Sequence, residues 1–109
     1  MSDIDPAYVS AVLDAYRRTA HTTGHVRTSD RRLAERLYRR GVPLDTVTGA
    51  FLLATSRRLA RPPDAAPLGL VRSLAYFLPV IDELLAAPLA PEYRAHLAAK
   101  LGRHPRDPS

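Results

Sequence analysis

The sequence predicts an all-α protein, a compact bundle of four to five helices. Of its 109 residues, 46% are apolar, and 17 Ala and 16 Leu stand against only nine Val and Ile together. Ala and Leu favour helices, whereas β-branched residues favour strands. Apolar residues also recur at helical spacing along most of the chain. A chain of this length holds one core, so we expect a single helical domain over residues 1–102.

The first helix is marked at its start by Asp5-Pro6, an aspartate cap followed by a proline at the first helical position. Its apolar face continues to about Ala20. Residues 21–27 show no periodicity and are predicted to form a loop. The first helix is therefore expected to end just before this loop.

The second helix is predicted to begin at a hydroxyl cap, either Thr28 or Ser29, with Asp30 close to the positive end of the helix dipole. Apolar residues at helical spacing form its buried stripe, and Gly41 is expected to end it. A glycine turn between two helices is also typical of a helix-turn-helix, which we keep as an interpretation of this junction.

The third helix starts near Pro43 and is apolar on most sides, so we place it in the middle of the bundle. A fourth helix is predicted from Pro67 to Ala87, either kinked or split by Pro79. The last helix begins at Pro91. It is closed by a glycine at position 102, and residues 103–109 are expected to be a flexible tail.

Charge is distributed unevenly along the chain, whose net charge is +5. Residues 17–40 contain eight arginines and two acids, a net of +6. Uncompensated arginines attract phosphates, which the planar guanidinium binds through two parallel hydrogen bonds. The alternative is a solvated helix face without a ligand. The predicted nucleic-acid-binding residues are Arg17, Arg18, Arg27, Arg31, Arg32, Arg36, Arg39 and Arg40, extended by Arg57, Arg58 and Arg61.

The expected contact is with the phosphate backbone and lacks strong sequence specificity. The start of the third helix, taken to be exposed, offers Asp45, Thr46 and Gly49, and the chain contains neither Asn nor Gln. None of these three is an Arg, Asn or Gln that could reach base edges. Antiparallel helix packing explains the same turn without any base-reading motif.

No catalytic or metal-binding pattern is present in the sequence. The chain has no Cys, and its four His include only one close pair, His21 and His25, with Gly24 between them in a predicted loop. No phosphate-binding glycine loop or nucleophile elbow occurs. We therefore expect a non-enzymatic protein that uses no cofactor and no metal.

Three segments of the chain resemble known proteins. Residues 37–44, 57–63 and 72–84 are similar to small helical proteins encoded in bacterial mobile elements and to helical domains attached to replication-initiation proteins. This resemblance implies an accessory protein that works with nucleic acid. We expect that nucleic acid to be DNA in preference to RNA. It implies no catalytic residue, because the chain lacks any initiator catalytic segment.

A second hypothesis is a protein–protein adaptor or a homodimeric helical module. Leu70, Leu74, Phe77 and Ile81 of the predicted fourth helix would then dock a partner or a second copy. No signal core or uninterrupted apolar span of about 20 residues is evident, so a cytoplasmic protein is expected.

Overall fold

A computed structural model describes residues 3–102 of the chain. Over this range it contains five α-helices and one 3-10 helix, and its only β-type pairing is an isolated bridge between Thr22 and Val71. The predicted all-α bundle is confirmed. The helices are α1 (Pro6–Arg18), α2 (Thr28–Arg39), α3 (Leu44–Leu59), the 3-10 helix (Leu74–Phe77), α4 (Leu78–Ala86) and α5 (Pro91–Gly102).

Helix α1 begins as predicted. The Asp5 carboxylate accepts a hydrogen bond of 2.9 Å from the main-chain N–H of Ala7, and Pro6 occupies the first turn. The helix ends at Arg18, slightly earlier than expected, and the Thr19 hydroxyl donates back to the carbonyl of Ala15 at 2.7 Å. This back-bonded threonine marks the change from helix to loop.

Helix α2 begins at Thr28, so the predicted caps at Thr28 or Ser29 are wrong: Arg27 occupies the cap position. Asp30, the third residue of the helix, stabilises this start: its carboxylate accepts the main-chain N–H of Arg27 at 2.9 Å, as the acidic residue of a capping box does. The predicted end is confirmed, since Gly41 follows the helix with φ +73°.

Helix α3 is central, as predicted. It packs against α1, α4, α5 and the 3-10 helix. Three residues spaced four and three apart along one side of α3 are all buried: Gly49, Leu53 and Ser56. A helix without an exposed polar face can be stable only when neighbours cover it on several sides.

The predicted fourth helix from Pro67 to Ala87 is wrong over its first half. Residues 60–73 are irregular, and the 3-10 helix precedes α4. Ser73 caps the 3-10 helix by accepting the N–H of Ala75 at 3.1 Å, and Val71 before it is held by main-chain bonds to the loop after α1. Pro79 lies in the first turn of α4, where its missing N–H costs no helical hydrogen bond and no kink is needed.

The apolar residues of this segment form the core rather than a docking surface. Leu74, Phe77 and Ile81 are each at most 1% exposed, while Leu70 is 58% exposed. The Phe77 ring packs edge-on to Phe51, with centroids 4.7 Å apart. The adaptor interpretation therefore loses three of the four residues on which it depended.

Helix α5 begins at Pro91 as predicted, extends to Gly102, the last described residue, and packs on α3. Arg94 fastens it there: its guanidinium donates to the carbonyl of Asp45 at 2.7 Å and to the Thr48 hydroxyl at 2.6 Å. The predicted tail, residues 103–109, lies outside the described residues.

Candidate nucleic-acid interface

Helix α2 separates its apolar and cationic residues onto opposite sides. Its buried stripe consists of Asp30, Leu33, Ala34 and Leu37, which pack on α1 and the 3-10 helix. A helix turns 100° per residue, so the four arginines of α2 lie away from this stripe, and all four are exposed. We call them the α2 cationic face: Arg31, Arg32, Arg36 and Arg39.

The Asp30 carboxylate does not lie on the α2 cationic face. Its side chain is directed into the fold and is only 1% exposed. Besides the Arg27 N–H, the carboxylate accepts the N–H of Leu74 at 2.9 Å and the Ser73 hydroxyl at 3.4 Å. Glu35 is therefore the one acidic side chain of α2 that does not belong to its buried stripe.

Two of the predicted site residues are paired with carboxylates of α4. Arg40 lies 3.1 Å from Asp82. Arg57 makes a two-pronged pair with Glu83, with nitrogen–oxygen distances of 2.9 and 2.5 Å. The hydrogen bonds from Arg57 lower the pKa of the Glu83 carboxyl below its ordinary value. These pairs are exposed, and they reduce the positive potential beside α4.

Two further predicted residues hold the irregular segment that follows α3. Arg58 donates to the carbonyl of Gly69 at 2.7 Å and lies over the ring of Tyr76, 5.6 Å from its centroid. Arg61 donates to the carbonyl of Ala66 at 2.6 Å. Both guanidinium groups thus stabilise the loop, and neither belongs to the α2 cationic face.

The three remaining predicted arginines lie outside α2. Arg17 pairs with Asp14 one turn earlier in α1. Arg18 lines a groove between α1, α3 and α5. Arg27 is exposed directly before α2, next to the α2 cationic face in the chain. The structure therefore brings together four of the eleven predicted arginines on one helix and gives most of the others separate partners.

The start of α3 is exposed only in part: Asp45 is exposed and Thr46 is half-buried. Gly49 is buried, and a Cβ atom placed on it would lie 2.6 Å from Nη1 of Arg94 in α5. Arg94 also donates to the carbonyl of Asp45, so α5 contacts α3 near its start. The turn between α2 and α3 therefore precedes a helix whose start is covered by α5 at Gly49 and exposed at Asp45.

His21 and His25 lie in the irregular loop after α1, as predicted. Within residues 3–102, no group of three or more His, Asp or Glu side chains is arranged to hold a metal ion. Over the same range, none of the helices has the length and apolar character needed to span a membrane.

Comparison of the chain with protein-family models, with curated proteins and with solved structures gave no match.

Proposed function

We propose that this protein binds nucleic acid, duplex DNA in preference to RNA, by laying the α2 cationic face against the phosphate backbone. The observation that carries the proposal is the exposure of four arginines on one side of a helix whose own aspartate is buried. Such a surface presents several guanidinium groups at once, and each can bind a phosphate through two hydrogen bonds.

The spacing of the arginines favours several simultaneous contacts. Arg32 and Arg36 are four residues apart, which corresponds to a rise of about 6 Å along the helix. Arg31 and Arg39 flank them on the same exposed side. Contacts of this kind position a protein on the duplex but carry no sequence information. We therefore assign no base-reading role to any residue.

The proposed contact does not include Arg57, Arg58 or Arg61. Arg57 is matched by Glu83, and Arg58 and Arg61 donate to main-chain carbonyls. Moving any of these onto a phosphate would break an existing contact, which reduces the gain in binding.

A pair of charge-matched variants tests the proposal. R32Q/R36Q removes two charges from the α2 cationic face. R57Q/K100Q removes two charges elsewhere, one from the Arg57–Glu83 pair and one from α5. Glutamine and arginine have similar helix propensities, so α2 should stay folded. Removing the i,i+4 repulsion between Arg32 and Arg36 offsets any small loss.

The measurement is the fluorescence anisotropy of a labelled DNA duplex at 50 mM salt. Each lost phosphate contact lowers affinity by about tenfold at this salt concentration, so R32Q/R36Q should bind about 100-fold more weakly than wild type. R57Q/K100Q should stay within about threefold, because distant charges are screened. Equal losses in the two variants, or no binding by the wild-type protein, would overturn the proposal.

A further inference from the structure

A second surface of the molecule has the form of a ligand-binding groove. It has a volume of about 1020 Å³ and lies between the end of α1, the middle of α3 and the end of α5. The loop after α1 and the exposed Leu70 complete its rim. Ligand pockets commonly have volumes of roughly 300–1,000 Å³, so the groove is large enough for a small organic molecule.

The surface of the groove is mainly apolar, although four threonines line it. Phe51 and a set of leucines supply its hydrocarbon surface, and Leu59 and Leu70 are 36% and 58% exposed. The hydroxyls of all four lining threonines donate to main-chain carbonyls, so their hydrogens are already used. These bonds run from Thr19 to Ala15, from Thr22 to Thr19, from Thr48 to Leu44 and from Thr55 to Phe51.

Charge along the groove has one sign. Arg18 lines it at the end of α1, as does His21, and among residues 3–102 no acidic residue belongs to the lining. Within the part of the chain that the structure describes, the Arg18 guanidinium has no carboxylate partner, in contrast to Arg17 beside it. An apolar channel with one unmatched cation complements a ligand that has a hydrocarbon body and an anionic end.

The rim of the groove is held by main-chain hydrogen bonds. The N–H of Val71 donates to the carbonyl of His21 at 2.8 Å, and the N–H of Thr23 donates to the carbonyl of Val71 at 3.0 Å. These two bonds fix the loop after α1 against the segment that carries Leu70. The groove is therefore preformed, and a ligand would not need to order its walls.

We propose that this groove binds a single-chain aliphatic anion, with the hydrocarbon chain against Leu52, Leu59 and Leu70 and the anionic head at Arg18. The proposal is independent of nucleic-acid binding, because no residue of α2 lines the groove.

The test uses three single-chain probes with different head groups and tails of seven or eight carbons: octanoate, 1-octanol and octyltrimethylammonium. Each is titrated into the ¹⁵N-labelled full chain, and amide chemical shifts are followed by NMR. Octanoate should shift the amides of Thr22, Thr55 and Leu101 and leave Leu37, in the buried stripe of α2, unchanged. Octanol should bind the same site about three- to fivefold more weakly, and the cationic probe more weakly still.

Two variants with matched controls locate the parts of the site. L70Q should weaken the binding of octanoate by about tenfold, because a leucine that covers the hydrocarbon chain of the probe is lost. L85Q, which replaces a leucine of 41% exposure outside the groove, should leave the affinity unchanged. R18Q should weaken the binding of octanoate by about three- to fivefold and leave the affinity for octanol unchanged. R72Q should change neither affinity.

Several results would overturn the inference. If octanoate changes the chemical shifts of amides only on the α2 cationic face, the anion binds wherever positive charge is exposed and does not bind the groove. Equal affinities for the three probes would show that the head group is not recognised. If the chemical shifts of the groove amides change with protein concentration in the absence of a probe, the occupant is a second copy of the chain.

Discussion

Replacing Asp30 by alanine removes the carboxylate that joins the start of α2 to the 3-10 helix. Asp30 is 1% exposed and accepts the N–H groups of Arg27 and Leu74, each at 2.9 Å. In D30A the buried N–H of Leu74 would have no acceptor, at a cost of about 1–3 kcal/mol. Loss of the bond at the helix start adds about 1 kcal/mol. We therefore expect D30A to lower the free energy of unfolding by about 3 kcal/mol.

The assay is urea unfolding at pH 7 followed by far-UV circular dichroism. D30N keeps one acceptor oxygen and should lose about 1–2 kcal/mol, because its NH₂ group faces a donor. D64A, which replaces an exposed aspartate in the irregular segment, serves as the control and should change stability by less than about 0.5 kcal/mol. A D30A protein within 1 kcal/mol of wild type would refute the reasoning.

Three further predictions concern individual side chains. The Tyr16 hydroxyl is buried without a hydrogen-bond partner among the described residues, and burial raises the pKa of its phenol. Y16F should thus be at least as stable at pH 7, and in urea titrations it should lose less stability above about pH 10, where unfolded tyrosine ionises. The lowered pKa of Glu83 means that its pair with Arg57 stabilises the fold above the unfolded pKa, near 4.5, and is lost as pH falls further. The stability difference between wild type and E83Q should accordingly shrink between about pH 5 and pH 3, and a constant difference would contradict this. R94A should cost about 1–2 kcal/mol by releasing α5 from α3. In the R94A background, G49A should raise the free energy of unfolding by up to about 1 kcal/mol, because alanine favours the helix and Arg94 no longer blocks its Cβ. A double-mutant cycle measures this, and an equal effect of G49A with and without Arg94 would contradict the close approach of Arg94 to Gly49.

Local signals in the sequence were sufficient for most of the fold. Asp5, Pro6 and Gly41 act at their own positions, so α1 and the end of α2 could be predicted from propensity and capping. Residues 67–77 could not, because the regular spacing of Leu70, Leu74 and Phe77 comes from an extended segment followed by a 3-10 helix that packs on the core. Tertiary contact at Val71 outweighed the helical pattern there.

The candidate interface was predictable in its charge but not in its partners. The positive surplus of residues 17–40 and the exposed side of α2 follow from composition and helical spacing. The pairs of Arg40 with Asp82 and of Arg57 with Glu83 join residues 42 and 26 positions apart, which no local pattern reveals. The inward direction of Asp30 did have a signal, since it shares the i, i+3, i+4, i+7 spacing of the buried stripe.

The most direct test of the central claim is the salt dependence of duplex binding. Three to four phosphate contacts predict a slope of about −3 to −4 in a plot of log affinity against log salt between 50 and 200 mM, which corresponds to about a 100-fold loss. R32Q/R36Q should reduce the slope to about −1 to −2, while R57Q/K100Q should keep the wild-type value. A wild-type slope near zero, or one that R32Q/R36Q leaves unchanged, would contradict phosphate binding by the α2 cationic face.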